Sequence, residues 1–211
     1  MNTNGGRPKL PDLEALTRRP GPGSHRTVLT IGGRETATLE DLPPLPGYLL
    51  FVGSQPSTAS VEAGHYHQGR LGRRFWTRLE EATILPPDTD AATADDVLAA
   101  AGHGITDLLK QPADGDAVAD VAGAASSNDL RGAVGPLWQR LSVWRPGAVV
   151  FVYRRAAEAA AGRPVFEPWG RIEGVALSGR PCFLMPAPDA PAADVAAGLN
   201  LLRNLASLLP R

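Results

Sequence analysis

The chain has 211 residues, of which 43% are hydrophobic and 20% are charged, proportions typical of a folded globular protein and not of a disordered one. Its formal net charge of -1 excludes the strongly basic surface of proteins that coat nucleic acids, so any contact with DNA must come from a local basic patch. The single cysteine, Cys182, excludes an internal disulfide and a cysteine-rich metal site.

Residues 1–26 are rich in glycine, proline and arginine, which predicts a flexible N-terminal arm. The arm contains no apolar segment of the kind that directs secretion, and no later stretch is apolar for long enough to cross a membrane. We therefore expect a cytoplasmic protein in which residues 27–211 form a single domain.

Strand patterns recur along this domain. Residues 27–39 predict a β-hairpin, because two β-branched segments flank the pair Gly32 and Gly33, which suits a two-residue turn. Four further segments are interpreted as strands of one sheet; three of them are continuous apolar runs typical of buried parallel strands, and the second is shorter and mixed. These four segments are residues 48–53, 104–110, 147–153 and 181–185.

Helical patterns separate these strands. Apolar periodicity and capping residues predict helices at residues 75–82, 93–101, 129–142, 154–161 and 192–209, and Pro136 interrupts the period of the third. Residues 112–127 are small and polar and predict a loop, whereas residues 171–179 leave room for another short strand. The alternation predicts an α/β fold, a three-layer α/β/α sandwich around a central, mainly parallel four-stranded sheet.

Two loops follow predicted strands at their carboxyl ends, where ligands bind in open α/β sheets. The first, residues 54–74, carries polar side chains, two histidines and several arginines, and the second, residues 186–194, follows the last strand. In a wound sheet the two loops can meet over one cleft, and we expect the active or binding site there.

An ordered set of short motifs runs through the chain. A strand ends in Gly-x-x-Pro, followed by Gly-His-Tyr, Phe-Trp, Gly-Ile-Thr-Asp-Leu and a late Met-Pro-x-Pro. In order and spacing, over roughly residues 45 to 205, the set resembles the uracil-DNA glycosylase superfamily, and within it the mismatch-specific uracil/thymine-DNA glycosylases. The resemblance implies a monomeric hydrolase of base excision repair that uses no cofactor. Such enzymes flip a deaminated or mismatched, uracil-like base out of double-stranded DNA and hydrolyse its N-glycosidic bond.

The resemblance assigns roles in the first motif. The family's Gly-Ile-Asn-Pro-Gly corresponds to Gly53-Ser54-Gln55-Pro56-Ser57, so Gln55 takes the place of the asparagine that holds the attacking water. A glutamine amide can orient a water but cannot act as a base at neutral pH. Gly53, Ser54 and Pro56 are then expected to line the base pocket, and Ser57 to contact DNA.

The next motif supplies the wall of the base pocket. The family's Gly-His-His-Tyr corresponds to Gly64-His65-Tyr66-His67, which implies that Tyr66 or His67 stacks on the flipped base and that His65 belongs to the same pocket. Two histidines in one loop are too few ligands for a metal ion, so no metal site is expected.

The second family motif, Leu-Pro-Asn-Pro-Ser-Gly, corresponds to residues 185–190. Ala187 replaces an asparagine that contacts the base and cannot hydrogen-bond in its place, and Pro188 is expected at the DNA. Asp189 introduces a carboxylate, which we expect to activate water or to stabilise the cationic sugar that develops during glycosidic cleavage.

The arginines after Gly69 are at least as consistent with phosphate binding as with a solvated face. We expect Arg70, Arg73 and Arg74 to contact the DNA backbone. Asp107 is expected to cap or hydrogen-bond a loop.

Two alternatives to a DNA glycosylase stay open. One is a non-catalytic relative that binds DNA or a nucleobase, which Gln55 and Ala187 favour. The other is a wound α/β enzyme that acts on a small phosphorylated or nucleoside ligand held by the arginines.

Overall fold

The computed structural model describes residues 16–113, 125–166, 169–186 and 190–207. The first two strands, β1 (Arg26–Ile31) and β2 (Arg34–Leu39), pair in antiparallel fashion. Gly32 and Gly33 join them with φ values of 57° and 80°, a left-handed backbone that glycine adopts without steric cost. The predicted hairpin is therefore confirmed.

Five strands form the central sheet. They are β3 (Leu49–Gly53), β4 (Gly104–Asp107), β5 (Ala148–Phe151), β6 (Gly170–Leu177) and β7 (Arg180–Leu184). The strand order is β4-β3-β5-β7-β6, and all neighbouring pairs are parallel except β6 with β7. The α/β class and the four predicted parallel strands are confirmed.

The predicted number of strands is wrong by one, because β6 joins the sheet as an antiparallel edge strand. Its residues alternate between exposed and covered positions, as expected for a strand with a partner on one side and solvent on one face. It lacks the continuous apolar run that marks the three inner strands, β3, β5 and β7, so the sequence pattern indicated this strand only weakly.

Seven helices lie entirely within the described residues. They are α1 (Thr58–Ala63), α2 (Gly69–Glu81), α3 (Ala94–Ala100), α4 (Ser127–Gly132), α5 (Val134–Trp144), α6 (Arg154–Ala161) and α7 (Ala192–Ser207). Among these helices, none combines the length and the apolar character that a membrane span requires. The last predicted helix extends to residues 208 and 209, which lie outside the described residues.

Two helix boundaries differ from the prediction. Helix α2 begins at Gly69 rather than at residue 75, because its first turns consist largely of arginine and glycine and carry little apolar periodicity. The predicted helix at 129–142 is two helices that divide at Ala133. Pro136 does not break the second, because it lies in the first turn, where a backbone N–H has no partner within the helix.

Helices cover both faces of the sheet. Alternate residues of β3 divide between two hydrophobic clusters, with Leu49 and Phe51 in one and Leu50 and Val52 in the other. The first cluster contains side chains of α2, α3 and α7, and the second contains side chains of α4, α5 and α6. The chain is therefore a three-layer α/β/α sandwich, as predicted.

Residues 16–26, the described part of the N-terminal segment, lie against this body. The Trp144 indole N–H donates to the Leu16 carbonyl oxygen at 2.5 Å, and the Arg19 guanidinium donates to the Ala99 carbonyl oxygen. His25 is buried, and its backbone N–H donates to the Gly64 carbonyl oxygen at 2.8 Å. Residues 1–15 of the predicted arm lie outside the described residues.

Candidate functional site

A cavity of about 210 Å³ lies at the carboxyl ends of β3 and β4. The two parallel strands end in register, with Gly53 opposite Asp107, so the residues that follow both strands meet at this edge. The cavity is smaller than the ~300–1,000 Å³ typical of pockets for drug-sized ligands, and it suits a single small ring. Its polar lining includes Ser54, Gln55, His67, Arg70, Asp107 and Arg155.

The carboxyl group of Asp107 is the principal ionisable group of the cavity. A Cβ atom on Gly53 would lie 2.1 Å from Asp107 Oδ1, so the carboxyl group fits in this position only because residue 53 has no side chain. The pKa of Asp107 is raised to about 7, mainly by burial and also by the charge of Asp41, while the charges of Lys110 and Arg140 oppose the shift. Asp107 can therefore take up or release a proton near neutral pH.

A charged network lies behind Asp107. The Asp41 carboxylate contacts Lys110 Nζ at 2.5 Å and Arg140 at 2.9 Å, and it accepts a hydrogen bond from the Thr106 hydroxyl. Burial alone would raise the pKa of Asp41, but the charges of Lys110 and Arg140 hold it well below its usual range. Asp41 therefore stays ionised while Asp107 titrates near neutrality.

Tyr66 and His67 form one wall, in different ways. Tyr66 is 2% exposed, and its hydroxyl donates to the Glu40 carbonyl oxygen at 2.9 Å, which fixes its ring in the core. His67 is half-buried as a residue, and its ring lies 4.2 Å from the Phe75 ring, centroid to centroid. Both predicted stacking residues line the cavity, and His67 is the less buried of the two.

The His67 ring is held in a neutral state with one nitrogen available. Burial lowers its pKa to about 4, and its buried Nε2 has no hydrogen-bond partner among the described residues. Its φ of 50° is unusual for a residue other than glycine. The turn packs closely on α2, because a Cβ atom on Gly72 would lie 1.7 Å from the His67 carbonyl oxygen.

The first motif contributes two polar side chains to the cavity. Gln55 Oε1 accepts a hydrogen bond from the Ala125 backbone N–H at 2.7 Å, which leaves the Gln55 NH₂ group as the possible donor to a ligand. The Ser54 hydroxyl is buried and has no partner within the part of the chain that the structure describes. Buried polar groups are normally paired, so the Ser54 hydroxyl is suited to a ligand or a water.

The last two residues of the motif have structural contacts. The Pro56 carbonyl oxygen accepts from the Ala113 N–H at 2.9 Å. The Ser57 hydroxyl caps α1 by accepting from the Ser60 N–H at 3.1 Å. Both residues line the cavity.

The predicted phosphate-binding arginines lie on α2 and not in a loop. Arg70, Arg73 and Arg74 are exposed, and Arg70 reaches the cavity lining. Arg78, on the same helix, is buried, and its guanidinium donates to the Pro186 carbonyl oxygen at 2.6 Å. Arg155 lines the cavity from α6.

His65 is separated from the other predicted pocket residues. Its Nδ1 lies 2.9 Å from Asp95 Oδ1, and its ring makes an edge contact with His25. It is absent from the cavity lining. The predicted residues Ala187, Pro188 and Asp189 lie outside the described residues.

Among the cavity residues that were not predicted as site residues are Asp107, Tyr153 and Arg155. All three end or follow parallel strands, β4 for the first and β5 for the other two. The rule that ligands bind beyond the carboxyl ends of such strands would have found them, had it been applied to every strand.

Comparison of the sequence with models of known protein families gives no match, and comparison with curated proteins gives none either. The chemistry of the site is therefore the evidence for function. The site combines a carboxyl group that titrates near pH 7, an unpartnered hydroxyl, an amide donor and a neutral imidazole around a small cavity, with exposed arginines beside it. This set suits hydrolysis at a small ring attached to an anionic chain.

Proposed function

We propose that the protein is a DNA glycosylase that hydrolyses the N-glycosidic bond of a flipped, uracil-like base. The observation that carries the proposal is the buried Asp107 carboxyl group, with a pKa of about 7, in a small cavity beside Ser54 and Gln55. Such a carboxyl group is about half ionised at pH 7, and its ionised form accepts a proton from water. The order of the sequence motifs supports the same class of enzyme.

In the proposed reaction the base enters the cavity and its sugar stays at the mouth. The water oxygen bonds to the anomeric carbon as the bond from that carbon to the base nitrogen breaks, and the bonding electrons leave with the base. Asp107 accepts the proton of the attacking water and stabilises the positive charge that develops on the sugar. The Gln55 NH₂ group and the Ser54 hydroxyl are the available groups to orient the water or the base.

The role first expected of Asp189 remains a proposal beside that of Asp107. Where two carboxylates lie at a glycosidic bond, one can accept the proton of the attacking water and the other can stabilise the positive charge that develops on the sugar. Single and double substitutions of Asp107 and Asp189 separate the two roles, because residues that act as a unit are strongly non-additive.

Helix α2 supplies the proposed DNA-binding surface. Arg70, Arg73 and Arg74 are exposed along it, and Arg70 adjoins the cavity. Arginine contacts to phosphates fix the register of a protein on the duplex, and flipping then brings one base to the pocket. We expect the protein to act as a cytoplasmic monomer on double-stranded DNA without a cofactor.

One observation favours a second candidate, a protein that binds a nucleobase in DNA without cleaving it. The Gln55 side-chain oxygen already accepts a hydrogen bond from the Ala125 N–H, so it is less available to bind the attacking water than the oxygen of an amide without such a bond. In this case Asp107 would donate or accept a hydrogen bond at the base edge and no abasic site would form.

A panel of duplex oligonucleotides tests both candidates. Each duplex carries uracil, mismatched thymine, hypoxanthine, xanthine or an alkylated base, and abasic sites are detected by alkaline strand cleavage. The glycosylase proposal expects cleavage by the wild type on at least one duplex and loss of about 10²-fold or more in Asp107→Asn, the contribution typical of a general base. Asp88→Asn is the matched control, because Asp88 is exposed and outside the cavity. Salt-dependent binding without cleavage of any duplex would favour the binding protein, and no binding would exclude both.

A further inference from the structure

A second group of polar side chains lies away from the cavity and joins three segments of the chain. His25 comes from the residue before β1, His65 from the turn after α1, and Asp95 and Asp96 from the first turn of α3. One ligand atom from each of the four residues lies within 4.8 Å of all the others.

The separations within the group are close to those of a metal centre. His25 Nε2 lies 2.9 Å from Asp96 Oδ1 and 3.9 Å from Asp95 Oδ2, and His65 Nδ1 lies 2.9 Å from Asp95 Oδ1. Four ligands at about 2.0–2.2 Å from a tetrahedral Zn²⁺ are about 3.4 Å apart. The three observed separations lie on either side of that value, and the four ligand atoms all lie within 4.8 Å of one another, so the group is compact enough to hold one ion.

The ligand groups are buried and oriented by neighbouring backbone. The side chains of His25 and Asp95 are 1% and 0% exposed, and those of His65 and Asp96 are 13% and 15% exposed. The Tyr66 N–H donates to Asp95 Oδ2 at 2.8 Å, and the Gly23 N–H donates to Asp96 Oδ2 at 3.0 Å. Backbone donors of this kind orient the carboxylates of metal sites.

The charge of the group also favours a cation. Two carboxylates face two histidines in a largely water-excluded place, and like charges at short range are costly when both are ionised. A divalent cation bound between them neutralises both carboxylates and takes the lone pair of each imidazole. Imidazole nitrogen and carboxylate oxygen are ordinary zinc ligands.

We infer that His25, His65, Asp95 and Asp96 form a structural site for a divalent cation of the zinc type. Four protein ligands close the coordination sphere of a tetrahedral Zn²⁺, as in structural and not catalytic zinc sites. The ion fixes the segment before β1 to α3 and to the turn that leads into Tyr66 and His67. Its function is therefore to stabilise the fold and one wall of the cavity, and it takes no part in the chemistry of Asp107.

Zinc titration of the full chain tests the inference. The protein is treated with a chelator, dialysed and titrated with Zn²⁺ against a chromophoric competitor. One equivalent is expected to bind, and His65→Ala is expected to weaken binding at least about 100-fold, more than the loss of a supporting partner alone causes. His103→Gln is the matched control, because His103 is a buried histidine outside the group and the variant should bind as the wild type does.

Two further measurements keep the test decisive if His65→Ala does not fold. Asp96→Asn changes a partly exposed ligand, and it should lose affinity while circular dichroism confirms its helices. Titration with Co²⁺ should give the intense visible absorption of a tetrahedral complex. The inference would be overturned if Zn²⁺ fails to bind stoichiometrically, if the wild type and both ligand variants bind it with equal affinity, or if Co²⁺ gives only the weak absorption of an octahedral complex. The group would then consist of two hydrogen-bonded His–Asp pairs without a metal ion. None of these outcomes bears on base excision.

Discussion

Replacement of Asp107 by asparagine changes the pH dependence of folding stability in a defined direction. The pKa of Asp107 is raised from 3.8 to about 7 in the folded protein, mainly by burial. Between these two values the native protein keeps a proton that the unfolded chain has released, so the stability due to Asp107 is complete below pH ~4 and is lost as pH rises to ~7. A shift of roughly 3 pKa units at 1.36 kcal/mol each corresponds to a loss of about 4 kcal/mol.

The Asp107→Asn variant has no proton to lose at this position, so it does not lose stability through ionisation of a buried carboxyl group as pH rises. Its free energy of unfolding minus that of the wild type should therefore rise by up to about 4 kcal/mol between pH 4 and pH 8. Urea unfolding followed by tryptophan fluorescence at several pH values measures the difference, and titrations common to both proteins cancel. A difference that is constant over this range would refute the assignment of Asp107 as a buried group with a raised pKa.

Asp129→Asn provides a control of opposite sign. Hydrogen bonds from the Ser126 side chain and backbone lower the pKa of Asp129, which is exposed at the start of α4. Its stabilising effect is present above the pKa of the unfolded chain and is lost as pH falls. The variant should therefore be slightly less stable than the wild type at pH 8, and the difference should shrink toward low pH.

Three further substitutions test other parts of the account. Gly53→Ala places a Cβ atom 2.1 Å from Asp107 Oδ1 and should reduce the rate of excision at least about 10-fold, while circular dichroism shows that the helices are retained. Gly135→Ala is the control and should leave the rate of excision unchanged, because a Cβ atom at Gly135 has open space around it. Asp41→Asn leaves the buried Arg140 and the half-buried Lys110 without their carboxylate and should lower the free energy of unfolding in urea by about 3 kcal/mol; a loss below about 1 kcal/mol would contradict the network. Arg73→Gln should reduce the salt dependence of DNA affinity by about one unit of slope, and an unchanged slope would remove Arg73 from the interface.

The inner sheet could be predicted from sequence because its strands are buried on both faces. Continuous apolar runs such as Leu49–Gly53 and Ala148–Phe151 have few other interpretations in a chain that alternates strands and helices. The edge strand Gly170–Leu177 has solvent on one face and a mixed pattern, so it gave a weak signal. The start of α2 was missed for a related reason, since arginine and glycine carry little apolar periodicity.

The candidate site was predicted in part. Gln55 and His67 were expected in it from a local motif and line the cavity, but Asp107 was expected only to cap or hydrogen-bond a loop, because nothing in its local sequence shows that its carboxyl group is buried. Burial and the absence of a side chain at Gly53 give Asp107 its properties, and both depend on the pairing of β3 with β4. The contact of His25 with Asp96 joins residues far apart in the chain, which no short motif can reveal.

If ionised Asp107 drives glycosidic hydrolysis, the rate of excision under single-turnover conditions must follow the ionisation of its carboxyl group. With the best duplex of the panel, we expect a rate that rises with pH and levels off above about 7. We also expect Asp107→Asn to lower the plateau about 10²-fold or more and to remove the rise. Excision by Asp107→Asn at the wild-type rate, with the same pH profile, would contradict the account.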